Sequence, residues 1–179
     1  MSRIGRMPIK LPQGVTAAVK DGKVTVTGPL GTLSETINPA VSIAVDQGII
    51  HVTRNSEEKK VKALHGLMRA LVNNMVTGVT KGFKKSLVVA GVGYKCALSG
   101  NKLTLNIGFS HPIEYVAPAG IKLELTQPLE IAVSGADKHA VGQAAANIKA
   151  LKPIEPYHGY GIRYKDEAVV LKVGKKAGK

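Results

Sequence analysis

The strongest constraint on the fold of this chain is an internal repeat. Gly22-Lys-Val-Thr-Val26 returns as Asn101-Lys-Leu-Thr-Leu105 at an offset of 79 residues, and Ile50 and Val52 return as Ile131 and Val133 at an offset of 81. The surroundings of the first copy identify its elements. Val15, Ala17 and Val19 alternate up to Asp21-Gly22, and Val24 and Val26 alternate beyond it. Asp-Gly between two period-two runs predicts a hairpin, because a type I′ turn needs positive φ at both central residues. Gly28-Pro-Leu-Gly31 turns the chain again, and strands are expected near 32–37, 41–46 and 49–54, the last two joined through Gln47-Gly48. Asn55 stands three residues before Glu58, a capping-box spacing. Beyond it Val61, Leu64, Met68, Leu71, Val72, Met75 and Val76 recur at helical intervals, and Gly78 is expected to end that helix.

From Phe83 the same grammar recurs, with a second helix expected from about Asp137 to Leu151 and Ala140, Val141, Ala144, Ala145 and Ile148 on one face. Two copies of strands followed by a helix predict an α+β fold of two duplicated domains, residues 1–82 and 83–179. Each is expected to be a small antiparallel sheet packed with one helix, with the link near Val79–Lys85. A length of 179 residues suffices for two small cores.

The charge points to a polyanion. The chain carries 25 Lys and Arg against 12 Asp and Glu, a formal net charge of +13. The excess is uneven: residues 1–85 carry +8, residues 86–137 carry −1 and residues 138–179 carry +6. Arg3, Arg6 and Lys10 open the chain with no acidic residue among the first twenty, and Lys172, Lys175, Lys176 and Lys179 close it. Basic ends around a near-neutral middle suggest two extended contacts with phosphate, on nucleic acid before membrane. The apolar run Leu87–Val92 is too short to span a bilayer, and no charged-then-apolar leader is read at the start. One cysteine, Cys96, allows no internal disulfide and fits a reducing cytosol.

The second copy continues past its helix through Lys152-Pro-Ile-Glu-Pro-Tyr-His-Gly-Tyr-Gly-Ile-Arg-Tyr164. Pro153 and Pro156 forbid a regular helix, while Gly159 and Gly161 permit backbone shapes that other residues resist. Small residues let a backbone approach phosphate, Arg163 and Lys165 supply charge, and the rings of Tyr157, His158 and Tyr160 can stack on unpaired bases.

Signals of catalysis are sparse. There is no Gly-x-x-x-x-Gly-Lys-Ser/Thr, and Gly91-Val-Gly93 lacks the third glycine of a dinucleotide fingerprint and reads as a bulge in an apolar strand. Histidines 51, 65, 111, 139 and 158 are scattered, without the spacing of a zinc helix. Cys96 reads as a small core residue, and His65, within the first helix, as a partly buried or surface residue and not a ligand. Two other classes could use the same charge: a small basic nuclease with His139, Glu155 or His158 as acid and base, and an architectural DNA-binding protein. No metal, cofactor or small-molecule substrate is expected.

Glu155-Pro-Tyr157, Gly159, Gly161 and Ile162-Arg-Tyr164 resemble the C-terminal motif of the large ribosomal subunit protein six family in its bacterial form. Ser2-Arg-Ile-Gly-Arg-Met-Pro-Ile9, Gly28-Pro-Leu-Gly31, Val89-Ala-Gly-Val-Gly-Tyr94 and Gly108-Phe-Ser-His-Pro112 also match that family, in order and across nearly the whole chain. The resemblance implies a cytoplasmic, non-enzymatic constituent of the large ribosomal subunit. It would be seated on 23S ribosomal RNA near the lateral-stalk base and the sarcin-ricin region, with neighbouring large-subunit proteins and translational GTPase factors as partners. The second domain is expected to make most RNA contacts, through Lys149, Lys152, Tyr157, His158, Arg163 and Lys165. Arg3, Arg6, Lys84, Lys85, Tyr94, Lys95, Gly159, Tyr160, Gly161, Lys172, Lys175, Lys176 and Lys179 complete the expected contact set. The first domain would be a platform toward proteins and factors. The chain departs from the family pattern at Ile154, usually proline, and at His158 and Tyr160, usually lysines. Stacking or hydrogen bonding is therefore expected to replace ion pairing in this loop.

Overall fold

The computed structural model describes residues 3–175. The chain divides into two compact units, one ending at Phe83 and taking in Ala136–Lys138, the other comprising Lys84–Gly135 and the chain from His139 onward.

In the first unit a short helix α1 (Arg3–Arg6) and strand β1 (Ile9–Lys10) precede the hairpin strands β2 (Thr16–Lys20), β3 (Lys23–Gly28) and β4 (Gly31–Thr36). Then come β5 (Val41–Asp46), β6 (Ile49–Arg54) and the long helix α2 (Lys59–Thr80). The strands form two antiparallel three-stranded sheets, β2-β3-β4 and β1-β6-β5, where the sequence suggested one. Asp21 and Gly22 both have positive φ, 50° and 70°, as the type I′ hairpin requires. Helix α2 packs on both sheets, and its apolar face brings Val72, Met75, Val76 and Val79 against Val24, Val26 and Ile50. A second cluster joins Met68 to Val41 and Val52.

Two expected helix boundaries move. Asn55 does not cap α2: its N–H bonds to the carbonyl of Ala40, so it is still held by the β5–β6 ladder, and the cap residue is Glu58. Gly78 lies buried inside the helix, which runs on to Thr80, and Gly82, at φ +71°, follows its end. His65 is buried and structural. A carbonyl can only accept, so its Nε2–H donates to Val52 O (2.8 Å), which leaves Nδ1 to accept from Arg54 Nη1 (3.3 Å). Arg54 in turn donates to Glu57, and Gly5 of α1 lies so close that a Cβ there would overlap the imidazole.

The second unit repeats the plan. β7 (Phe83–Ala90) precedes β8 (Lys95–Ser99), β9 (Lys102–Asn106) and β10 (Ile113–Val116), followed by β11 (Ile121–Gln127), β12 (Glu130–Gly135) and α3 (Lys138–Ala150). The β8-β9-β10 sheet corresponds to β2-β3-β4, and β11-β12-β7 corresponds to β5-β6-β1. Even the contact that joins the two sheets recurs, β2 with β5 and β8 with β11. Leu87, Val89, Leu103, Leu105, Ile131, Val133 and Ile148 are the buried core of this unit.

The copies differ at one sheet edge. β1 is two residues long and ends its sheet, whereas β7 is eight and accepts a further strand, β13 (Gly161–Tyr164), in antiparallel register. Gly91-Val-Gly93 is the turn after β7 and not a bulge within it. Cys96, on β8, is half-buried, and burial pushes its thiol up to about 11, away from nucleophilic chemistry at neutral pH.

Candidate nucleic-acid interface

The register of β13 on β7 assembles one basic surface. Tyr164 pairs with Leu87, and the ladder extends by one bond from Lys165 N–H to Ser86 O (3.0 Å). This places Lys165 and Asp166 beside Lys84, Lys85 and Ser86, and the five line an open hollow of about 420 Å³. Lysines distant in sequence thus meet because a strand from the C-terminal region closes the edge of the strand that opens the unit.

The lysines are not equivalent. Lys149 Nζ contacts both carboxylate oxygens of Glu167 at 2.7 Å, and it also lies 4.8 Å from the Tyr164 ring centre. Lys85 reaches the same ring at 5.4 Å. Lys165 is paired with Glu130, whose side chain is only 8% exposed. Lys152 sits 4.5 Å over the ring of Phe109. Lys84 and Lys95 are exposed and have no carboxylate partner among the described residues. A phosphate therefore meets unpaired charge at Lys84 and must compete with a carboxylate at Lys149 and Lys165.

Just before β13 the chain from Glu155 to Tyr160 is a closed loop. Glu155 N–H bonds to Tyr160 O (2.8 Å) and Gly159 N–H to Glu155 O (3.0 Å). The Glu155 carboxylate holds the turn from inside: it accepts from the backbone N–H of Tyr157 (3.3 Å) and of His158 (2.8 Å), and from His158 Nδ1 (3.0 Å). The His158 ring stacks on that of Tyr160, with centroids 5.4 Å apart and planes 19° from parallel. Lys172 N–H returns to Pro156 O (2.8 Å), which ties the following segment to the loop.

At the base of the loop Gly161 has φ +141°, and a Cβ would lie 2.6 Å from Pro153 O and 2.8 Å from Ile154 Cα. Only glycine lets the two stretches of backbone cross at that distance. Tyr94 is likewise structural: its ring fills the space left by the missing side chains of Gly91 and Gly108. Phe109 follows Gly108 directly, so Gly91, Tyr94, Gly108, Phe109 and Lys152 form one neighbourhood from three separate motifs. Sequence reasoning omitted Phe109; its signal was an aromatic residue between turn residues in a chain with only 2 Phe.

Arg6 lies in the first unit and is exposed, as are Lys172 and Lys175. Arg163, on β13, helps to hold the Glu167 carboxyl ionised. The side chain of Arg3, and residues Lys176 and Lys179, lie outside the described residues. Among the described residues no cluster of three His, Cys, Asp or Glu could hold a metal ion, and no helix is long and apolar enough to cross a membrane.

Glu155 and Glu167 sit below the ordinary glutamate range, Glu155 chiefly through the His158 N–H and Glu167 chiefly through Lys149. A depressed folded value means stabilisation that is complete above the unfolded pKa and is lost as pH falls through the folded one. The amide resonance of Tyr164, which donates to Glu167, is therefore expected to hold its shift down through pH 5 and to move only in stronger acid. A midpoint at or above the usual glutamate value would contradict this.

The family described as Ribosomal protein L6 matches residues 11–82 and 90–165. The chain is 48% identical to the large ribosomal subunit protein uL6 of Herminiimonas arsenicoxydans, over 98% of this chain and 99% of the relative. It is 50% identical to that of Carboxydothermus hydrogenoformans, over 100% and 98%, and 48% identical to that of Chloroherpeton thalassium, over the full length of both.

Proposed function

Since the chain belongs to the ribosomal protein L6 family, we propose that it is seated on 23S ribosomal RNA near the stalk base and the sarcin-ricin region. It is a structural constituent of the large ribosomal subunit, from a family of structural ribosomal proteins and not of enzymes. The second unit carries most of the RNA contact, and the first is a platform toward neighbouring proteins and translation factors in the cytoplasm. The observation that supports this division is the β7–β13 pairing, which the first unit lacks and which gathers Lys84, Lys85 and Lys165 around one hollow.

Binding of this kind is electrostatic and geometric. Each phosphate neutralised by Lys or Arg releases counterions, and the shallow minor groove of A-form RNA presents shape and 2′-hydroxyls to a rigid protein surface. Sedimentation of a cell lysate, with and without ribonuclease and at rising salt, tests the reading. The protein is expected to travel with the large subunit and to be released by RNA digestion or high salt. A freely sedimenting protein in untreated lysate would overturn it.

A further inference from the structure

We propose that the outer face of the His158 ring is a stacking platform for one unpaired nucleobase of the bound RNA, with Tyr160 and Glu155 as the residues that position it. The inference rests on the RNA-binding reading and gives one loop of that surface a defined ligand. Three observations carry it. One face of the imidazole is covered by the Tyr160 ring at 5.4 Å, in a near-parallel stack. The side chain nonetheless remains 68% exposed, so the opposite face is open. The ring cannot swing freely, because the same carboxylate oxygen of Glu155 holds both the His158 backbone N–H and Nδ1.

The arrangement favours a base over a phosphate. A carboxylate only accepts, so Nδ1 carries a proton toward Glu155, and the positive end of the imidazole is already opposed by a negative charge at 3.0 Å. A phosphate brought to this ring would also meet the Glu155 charge. A nucleobase meets a flat, pre-oriented π surface two rings deep, whose ordering costs less side-chain entropy than that of a free ring. The charged groups around the ring are few: Glu155 within the loop is the bonded one, Tyr157 and Tyr160 are its polar aromatic neighbours, and the segment returning at Lys172 approaches through its backbone N–H.

The test measures affinity of the full chain for a 23S ribosomal RNA transcript between 0.05 and 0.2 M salt. Base–aromatic stacking predicts a roughly ten- to hundred-fold loss for His158→Ala, with no change in the salt slope. His158→Phe keeps the π face and should bind within a few-fold of the parent. Glu155→Gln, which keeps the size but weakens the hold on the ring, should fall between them. An alanine variant that binds as tightly as the parent would overturn the platform, as would a phenylalanine variant as weak as alanine. So would a loss that lowers the log–log slope by roughly 0.7 or more, the mark of a phosphate contact. A parent chain without affinity for the transcript would overturn the RNA reading itself, which separates the two failures.

Discussion

Gly161→Ala is expected to destabilise the second unit by about 3 kcal/mol or more, combining backbone strain with a collision that no side-chain rotation relieves. The atoms in the way are the carbonyl oxygens of Lys152 and Pro153 and the Cα of Ile154, all backbone, at 2.6–2.9 Å from the added carbon. The bond from Ile162 N–H to Lys152 O (2.8 Å) lies at the same crossing, so relief of the overlap pulls β13 from its seat. Thermal unfolding of the variant should show a fall of roughly 10 °C or more for this unit. Gly100→Ala is the control: Gly100 has φ +60°, with nothing near its Cβ position, and should cost only about 1 kcal/mol. Comparable losses from the two variants would mean that the crossing is not what holds the strand. Because β13 delivers Lys165 to the hollow, the Gly161 variant should lose RNA affinity along with stability.

The second large effect is on binding with stability nearly intact. Lys84→Gln together with Lys85→Gln should weaken binding to the 23S transcript by a few tens-fold at 0.1 M salt and flatten the log–log slope by roughly 1.5, as loss of two phosphate contacts requires. Both side chains are exposed and neither bonds to a carboxylate among the described residues; only the contact of Lys85 with the Tyr164 ring is lost, so the melting temperature should fall by at most a few degrees. Lys165 is the wrong residue for this experiment. Its removal would leave Glu130, a nearly buried carboxylate, without its cation, and stability and binding would change together. An unchanged slope in the double variant would place the phosphate contacts elsewhere.

What the sequence disclosed divides along the distance over which information acts. The Asp21-Gly22 turn, the strand ends at residues 41–46 and 49–54, and the apolar face of α2 depend on near neighbours and were legible. The start of α2 was not: Asn55 has a capping spacing, but its N–H is taken by Ala40, fifteen residues back, and the helix begins four residues later. Likewise Gly78 carries the signature of a helix end, yet tertiary packing retains it inside the helix. β13 is the instructive omission. Its four residues read as part of a Gly-Pro loop, because nothing local reveals that Leu87–Ala90, more than seventy residues earlier, leaves an edge for them. The basic and aromatic residues of the candidate site were visible as types, but their partners were not. Glu167 beneath Lys149, Glu130 beside Lys165 and Phe109 under Lys152 decide which charges are left unpaired, and those pairings exist only once the chain has folded.

The place of β13 in the chain also orders the events of synthesis. A nascent polypeptide emerges from its N-terminus, so both sheets of the first unit can be complete once residue 54 has appeared, and its helix soon after. The second unit must wait. Its β7 edge, with Val88 and Val89 along it, stays open until residues 161–164 arrive to pair with it. An open strand edge invites pairing with other chains, and here the hazard is removed only when residues 161–164 have been made. The segment that gathers the basic surface is thus also the one that closes the exposed edge. A product that stops before residue 161 would lack both the closed sheet and the gathered basic surface.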